Sequence, residues 1–103
     1  MTAPYILTRS AAADLRDIVR YTGETWGQAQ CAAYVAQLEA AATEVTSGQG
    51  AFKNRDDLIP GLRVCKTGHH YLFCLPGDNS PAVIIAILHE RMDIIARLRE
   101  RLD

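Results

Sequence analysis

A buried-looking strand, Ile84-Ile85-Ala86-Ile87-Leu88, runs directly into His89-Glu90-Arg91-Met92-Asp93. That junction concentrates the side chains able to do chemistry. Histidine can give and take a proton near neutral pH, and an arginine beside it can stabilise charge developing on phosphorus. On this reading His89 moves protons and Arg91 steadies a phosphorane, while Arg63 or Lys66 assists from across the sheet. The competing reading is structural: His89 closes the strand by bonding to backbone or to Asp93, and Arg91 pairs with a carboxylate. Charge favours the second. Eleven Lys and Arg stand against twelve Asp and Glu, for a net charge of −1, whereas a protein acting on RNA normally carries a basic excess to offset phosphate repulsion. The basic residues cluster locally, at Lys53 and Arg55, at Arg63 and Lys66, and at Arg91, Arg97, Arg99 and Arg101. Interleaved Glu90, Asp93, Glu100 and Asp103 make the last group equally consistent with a solvated amphipathic helix.

The other candidates are weaker. Adjacent His69 and His70 would point to opposite faces of a strand, and no short-range His or Cys spacing supplies three metal ligands. Cys31, Cys65 and Cys74 form no Cys-x-x-Cys pair, so they read as small buried hydrophobes and not as a disulfide framework. Tyr5, Tyr21, Tyr34 and Trp26 could stack on bases, but they fall on packing faces and are expected in or near the core. Glycine-rich phosphate loops and nucleophile elbows are missing from the sequence.

The elements that must position these groups follow from periodicity. Tyr5-Ile6-Leu7 forms a short strand, and Thr8 or Ser10 can cap a helix over about Ala11 to Thr22. Leu15, Ile18, Val19 and Thr22 line one face of that helix. Gly23 is expected to end it, with Trp26-Gly27 leading into a second helix that reaches about Val45. That helix carries Cys31, Tyr34, Leu38, Ala41 and Val45 on one line, and the two should form an antiparallel hairpin. Thr46 to Pro60 reads as an irregular connection. Strands follow at about Leu62–Thr67, His70–Leu75 and Ala82–His89, separated by Gly68 and by Pro76-Gly77-Asp78-Asn79-Ser80-Pro81. Ile94, Ile95, Leu98 and Leu102 step as a final helix.

The predicted fold is therefore α+β, an antiparallel sheet packed on an N-terminal helical hairpin, in the order β-α-α-β-β-β with a short C-terminal helix. The 103 residues suit one domain, large enough to bury roughly two-thirds of its unfolded surface. Met1-Thr2-Ala3-Pro4 lacks the basic start of a signal peptide, and no apolar run approaches the roughly 20 residues of a membrane span. The cytoplasm is the expected compartment. The strands are apolar at both parities, and one helical hairpin can cover only one face, so an open apolar surface is expected on which a folding partner segment could lay a helix or add a strand.

Several of these residues occur together in a recognisable order: Thr8 after the first strand, Ala13-Asp14-Leu15, Tyr21, Trp26-Gly27, Gly61-Leu62-Arg63, His70 with Phe73, and Leu88-His89 with Arg91 and Asp93. In this order the chain, from Tyr5 to about Leu98, resembles the ParE branch of the RelE/ParE toxins. The resemblance implies a toxin of a type II toxin–antitoxin pair that inhibits DNA gyrase by binding, is neutralised by a cognate ParD-like antitoxin, and needs no cofactor or metal. Sequence-specific nucleic-acid binding is not part of that expectation. RelE relatives instead cut messenger RNA on the ribosome, but Met92 to Asp103 contains none of the late tyrosines that such cleavage relies on. Cys74-Leu75 also departs from the Tyr-Arg pair common in ParE. Gyrase binding is thus the leading expectation, with a RelE-type nuclease and a non-toxic antitoxin-binding member as alternatives. Arg63, His89, Arg91, Asp93 and Arg97 are the candidate contacts to target or antitoxin.

Overall fold

The structure, a computed structural model, describes residues 5–78 and 80–102, except the side chain of Leu102. The leader question at Met1–Pro4, Asn79 of the second turn and the last point of the C-terminal stripe lie outside the described residues. Eight elements follow in order: β1 (Tyr5–Leu7), α1 (Arg9–Trp26), α2 (Gln28–Thr46), β2 (Lys53–Asn54), β3 (Arg63–Thr67), β4 (His70–Leu75), β5 (Ala82–His89) and α3 (Ile94–Leu102). No described helix is long and apolar enough to cross a membrane.

The strands form one sheet in the order β1-β5-β4-β3-β2. From β2 to β5 every pairing is antiparallel, as short turns require, but β1 lies parallel to β5. The sheet is therefore mixed and not purely antiparallel. Short turns constrain only strands they join; β1 is separated from the rest by two helices, which leave its direction free. The connection after α2 also contains β2, whose two exposed residues carry no hydrophobic alternation by which to be noticed.

Thr8 starts the hairpin. Its Oγ1 accepts a hydrogen bond from the Ala11 N–H at 3.0 Å, and its own N–H donates to Ile84 O at 3.1 Å, so one residue caps α1 and extends the β1–β5 pairing. Gly23 does not end α1. The helix runs on to Trp26, and Gly27, at φ +90°, closes it by donating its N–H to Gly23 O at 3.1 Å. Along α1, Ala11, Ile18 and Thr22 are buried, but Val19 is exposed. At the far end of α2, the Arg63 guanidinium donates to Val45 O at 3.0 Å and lies 5.1 Å from the Phe52 ring centroid. Arg63 thus satisfies the orphan carbonyls of a helix C-terminus.

Each face of the sheet has its own core. On the hairpin side Ile18, Leu38 and Val45 pack on Cys65, Leu72, Cys74, Ile84 and Ile87. On the other side Leu62, Phe73, Ile85, Ala86, Leu88 and Leu98 form a second cluster, with Leu58, Ile59 and Ile94 against it. The apolar face expected to stay open for a partner is therefore covered by α3 and the connection before β3. Leu98, only 2% exposed, makes α3 part of this core. All three cysteines are free and buried.

The parity of β5 changes along its length. Ala82, Ile84 and Ile87 face the hairpin, whereas neighbours Ile85 and Ala86 both face away. The register with β4 slips at that point, Phe73 opposing Ala86 and Cys74 opposing Ile84. Ile85 is the extra residue of a β-bulge. Beyond β1, the free edge of β5 is completed by side chains. Asp14 Oδ2 accepts the Ile87 N–H at 3.0 Å, and Arg101 donates to Ile85 O at 3.1 Å. Arg101 also holds both carboxylate oxygens of Asp14, at 2.7 and 3.0 Å, with side chains only 20% and 15% exposed.

Removing one member of such a shielded pair strands the other charge, a loss of about 3 kcal/mol. Asp14→Ala should therefore lower unfolding stability by about that much in urea titration. The Asp14→Ala/Arg101→Ala double variant should lose clearly less than the sum of the singles. A change in Asp14→Ala within about 0.5 kcal/mol, the range of an ordinary surface substitution, would show that the pair carries no such weight.

Candidate functional site

Because the bulge shifts parity, His89 returns to the hairpin side of the sheet, two residues after Ile87. It stands opposite His70 in the β4–β5 pairing, and their rings meet edge to face at 5.1 Å. His69 stacks on His89 with centroids 6.2 Å apart. His69 and His70 therefore serve one cleft after all, because His69 occupies the turn, where strand alternation does not hold. From α2, the Tyr34 hydroxyl lies 2.6 Å from His70 Nδ1 and accepts the His69 N–H at 3.0 Å. Gly68 permits this approach. It has φ +57°, and a Cβ there would come within 2.5 Å of the Tyr34 ring.

Outside the histidines, Glu90 gathers charge. Lys66 Nζ lies 2.8 Å from its Oε1 and His69 Nδ1 2.6 Å from its Oε2. These bonds, Lys66 first, pull the Glu90 carboxyl down to about 2. Burial, helped by His89 and His69, pushes His70 down to about 4 and so keeps it neutral. The Tyr34 hydroxyl and His70 Nδ1 share one hydrogen bond, its direction set by the His70 tautomer.

The cleft between this cluster and the hairpin measures about 750 Å³ and is lined by residues of α1 from Asp14 to Trp26, by Tyr34, and by His69, His70, His89, Arg91 and Met92. Its mouth is apolar: Trp26 is 67% exposed, Tyr21 65% and Met92 44%. Tyr5 and Tyr34 are half-buried as expected, but Tyr21 and Trp26 are not core residues. The stripe of α1 that buries Ile18 and Thr22 runs past the end of the sheet, so Trp26, one turn further on, has no strand beneath it.

The five candidate contacts separate. His89 lines the cleft, but its Nδ1 accepts the Arg91 N–H at 3.1 Å and its carbonyl the Met92 N–H at 3.0 Å, which fixes it as the residue that turns the chain. Arg91 is exposed at the cleft and makes no ion pair among the described residues. Asp93 caps α3, its Oδ1 accepting the Ala96 N–H at 3.2 Å. Arg97 lies on the outer face of α3 in an exposed pair with Glu100 at 3.6 Å. Arg63 pairs with Cys74, at the opposite end of β4 from His70 and His89, and is committed to α2. Lys66 is likewise held by Glu90 and the Tyr71 ring. Arg63 therefore stands apart from His89, and Lys66 is connected to it only through Glu90 and His69. Among the described residues no three His, Cys, Asp or Glu side chains converge as a metal would require. The sequence reading missed the cleft aromatics as surface groups and Arg101 as a core ion; only the exact length of α1 could have revealed the former.

The pKa shifts set a pH dependence of stability. His70 is depressed from 6.5 to about 4 on folding, so the folded state binds fewer protons than the unfolded between those values, and stability falls as pH drops through that window. Glu90, lowered from 4.5 to about 2, gives a separate loss below the first. Chemical denaturation from pH 7 to 3 should show both, and His70→Gln should remove the upper one alone. An unchanged slope between pH 6.5 and 4 in that variant would contradict the assignment to His70.

Comparison with known proteins agrees with this architecture. Residues 5–94 match the family model described as ParE toxin of type II toxin-antitoxin system, parDE. Over 102 residues the chain is 52% identical to Toxin ParE of Escherichia coli, an alignment covering 99% of this chain and 98% of that protein. It is 36% identical over 95 residues to Toxin ParE1 of Caulobacter vibrioides, covering 92% and 97% respectively. A solved chain of the chromosomal ParDE TA system from P. aeruginosa shares the fold, with TM-score 0.65 and 20% identity over 82% of this chain and 92% of that one. The chain belongs to the ParE toxin family of type II toxin–antitoxin systems.

Proposed function

We propose that this toxin acts in the cytoplasm as a single domain that inhibits DNA gyrase by binding it, without catalysis of its own, and that a ParD-like antitoxin neutralises it. The observation that carries the binding reading is the character of the cleft. Its histidines are spent on one another, on Tyr34 and on backbone groups, while the surface it offers outward is Tyr21, Trp26 and Met92 beside Arg91. Exposed aromatic and arginine side chains are the groups most often found as energetic centres of protein interfaces. Arg91 remains the proposed contact at the cleft, with Arg97 a second exposed cation on the outer face of α3; Arg63, His89 and Asp93 serve the fold.

Two measurements test this reading. Purified chain should inhibit supercoiling by gyrase, and Trp26→Ala should reduce that inhibition at least tenfold. As Trp26 is exposed, the same variant should change unfolding stability by no more than about 0.5 kcal/mol, in contrast to the roughly 3–5 kcal/mol of a buried tryptophan. Ribosome-dependent cleavage of messenger RNA, abolished in folded His89→Ala or Arg91→Ala, would replace the binding reading with a nuclease.

A further inference from the structure

Arg91 and Met92 reach the cleft on a short piece of chain between the end of β5 at His89 and the start of α3 at Ile94. Their own bonds are local: the Arg91 N–H donates to His89 Nδ1 at 3.1 Å and the Met92 N–H to His89 O at 3.0 Å. Both side chains are exposed and belong to neither core cluster. Downstream, Asp93 caps α3 and Ile94 packs on the second core. Upstream, Glu90 is the residue that reaches outside the segment. Its N–H donates to His69 O at 2.8 Å, and its carboxylate takes Lys66 Nζ of β3 at 2.8 Å and His69 Nδ1 of the β3–β4 turn at 2.6 Å. The turn it grips is itself anchored to α2, where the Tyr34 hydroxyl accepts the His69 N–H and Gln37 Nε2 donates to Thr67 Oγ1 at 2.9 Å. A continuous line of polar contacts therefore runs from the helical hairpin through the turn to the residue before Arg91.

We propose that Glu90 is a positioning residue: by bridging Lys66 and His69 it fixes where Arg91 and Met92 stand relative to Tyr21 and Trp26, and so shapes the surface through which the chain inhibits gyrase. The role rests on the gyrase reading of the cleft and names the residue that sets its contact geometry. The bridge is two-sided, so swinging the chain about the end of β5 breaks one partner or the other. It is also open to water, with the Lys66 side chain 46% exposed and that of His69 72%. Exposed ion pairs add little to unfolding stability; what this one supplies is direction. A segment whose interface groups already stand in place loses less conformational freedom on binding. Lys66 and His69 hold the Glu90 carboxyl at about 2, so the bridge keeps its negative charge at any pH near neutrality.

Glu90→Gln keeps the size of the side chain and removes its charge. In the free chain this variant should speed hydrogen exchange of the Arg91 and Met92 amides at least threefold, with the Ile87 amide and the melting temperature unchanged, and should weaken inhibition of supercoiling at least tenfold. Glu90→Lys should do the same, and adding Lys66→Glu to it should restore both slow exchange and inhibition, a rescue that a residue acting only through bulk stability would not show. Unchanged exchange at Arg91 and Met92 in both single variants overturns the proposal whatever gyrase shows. Faster exchange with full inhibition means that Glu90 holds the segment without shaping the contact, and overturns the positioning role. If the unaltered chain does not inhibit gyrase, the gyrase reading fails on its own, while the exchange rates still decide whether Glu90 fixes Arg91.

Discussion

The free edge of β5 is the constraint around which this molecule is arranged. β1 pairs with β5 only as far as Ile84, and the strand continues to His89, so backbone groups beyond that point would lie unpaired inside a small domain. Unpaired buried groups of this kind cost about as much as a lost hydrogen bond each, and unprotected edges invite foreign strands. Here Thr8, Asp14 and Arg101 stand in for the missing strand, with Asp14 taking the Ile87 N–H and Arg101 the Ile85 carbonyl. The substitute is worth more than its hydrogen bonds, because Asp14 comes from α1 and Arg101 from α3, 87 residues apart in the chain. One carboxylate therefore locks the helix of one face to the helix of the other through the edge between them.

The bulge at Ile85 sits where this exchange of partners occurs. Had β5 continued without it, His89 would face α3, and the hairpin side would end in Leu88. With it, the last strand residue is returned to the side of Tyr34 and His70, and the chain leaves the sheet with Arg91 and Met92 beside the cleft. Edge pairing, bulge and the turn of the chain toward the cleft thus follow one another along β5 from the point where β1 ends.

Much of this was legible in the sequence. The helical hairpin followed from the spacing of Ile18 and Leu38 and their neighbours, the last three strands from their turn residues, and a cap at Thr8 or Ser10 from their place between a strand and an apolar repeat, of which the structure uses Thr8. What escaped was whatever depended on partners distant in sequence or on where an element overruns its support. Arg101 lies among alternating charges that describe a solvated helix equally well, and only Asp14, far upstream, makes it a core residue. Gly23 has the residue type of a helix stop, yet Gly27 supplies the left-handed conformation. The extra turn carries Trp26 off the sheet, so its side chain type suggested the core while its position denied it. The direction of β1 was unconstrained by any short turn, and two-residue β2 had no pattern to read.

Much of the order that marks the chain as a ParE relative is occupied with the fold. Thr8 caps, Asp14 bridges, Arg63 closes α2, His89 turns the chain and Asp93 begins α3. Residues held this firmly by their own structure have little left to offer a partner, so their presence identifies the architecture without identifying what it touches. The side chains still free to do so, Tyr21, Trp26, Arg91 and Met92, lie at the two places where an element outruns the sheet: the last two turns of α1 and the chain leaving β5. Both surround one cleft. A surface made this way can change its aromatic and charged groups without disturbing the Asp14–Arg101 lock, since none of the four contributes to either core cluster. Partner choice can therefore vary on this scaffold while the fold that presents it stays the same.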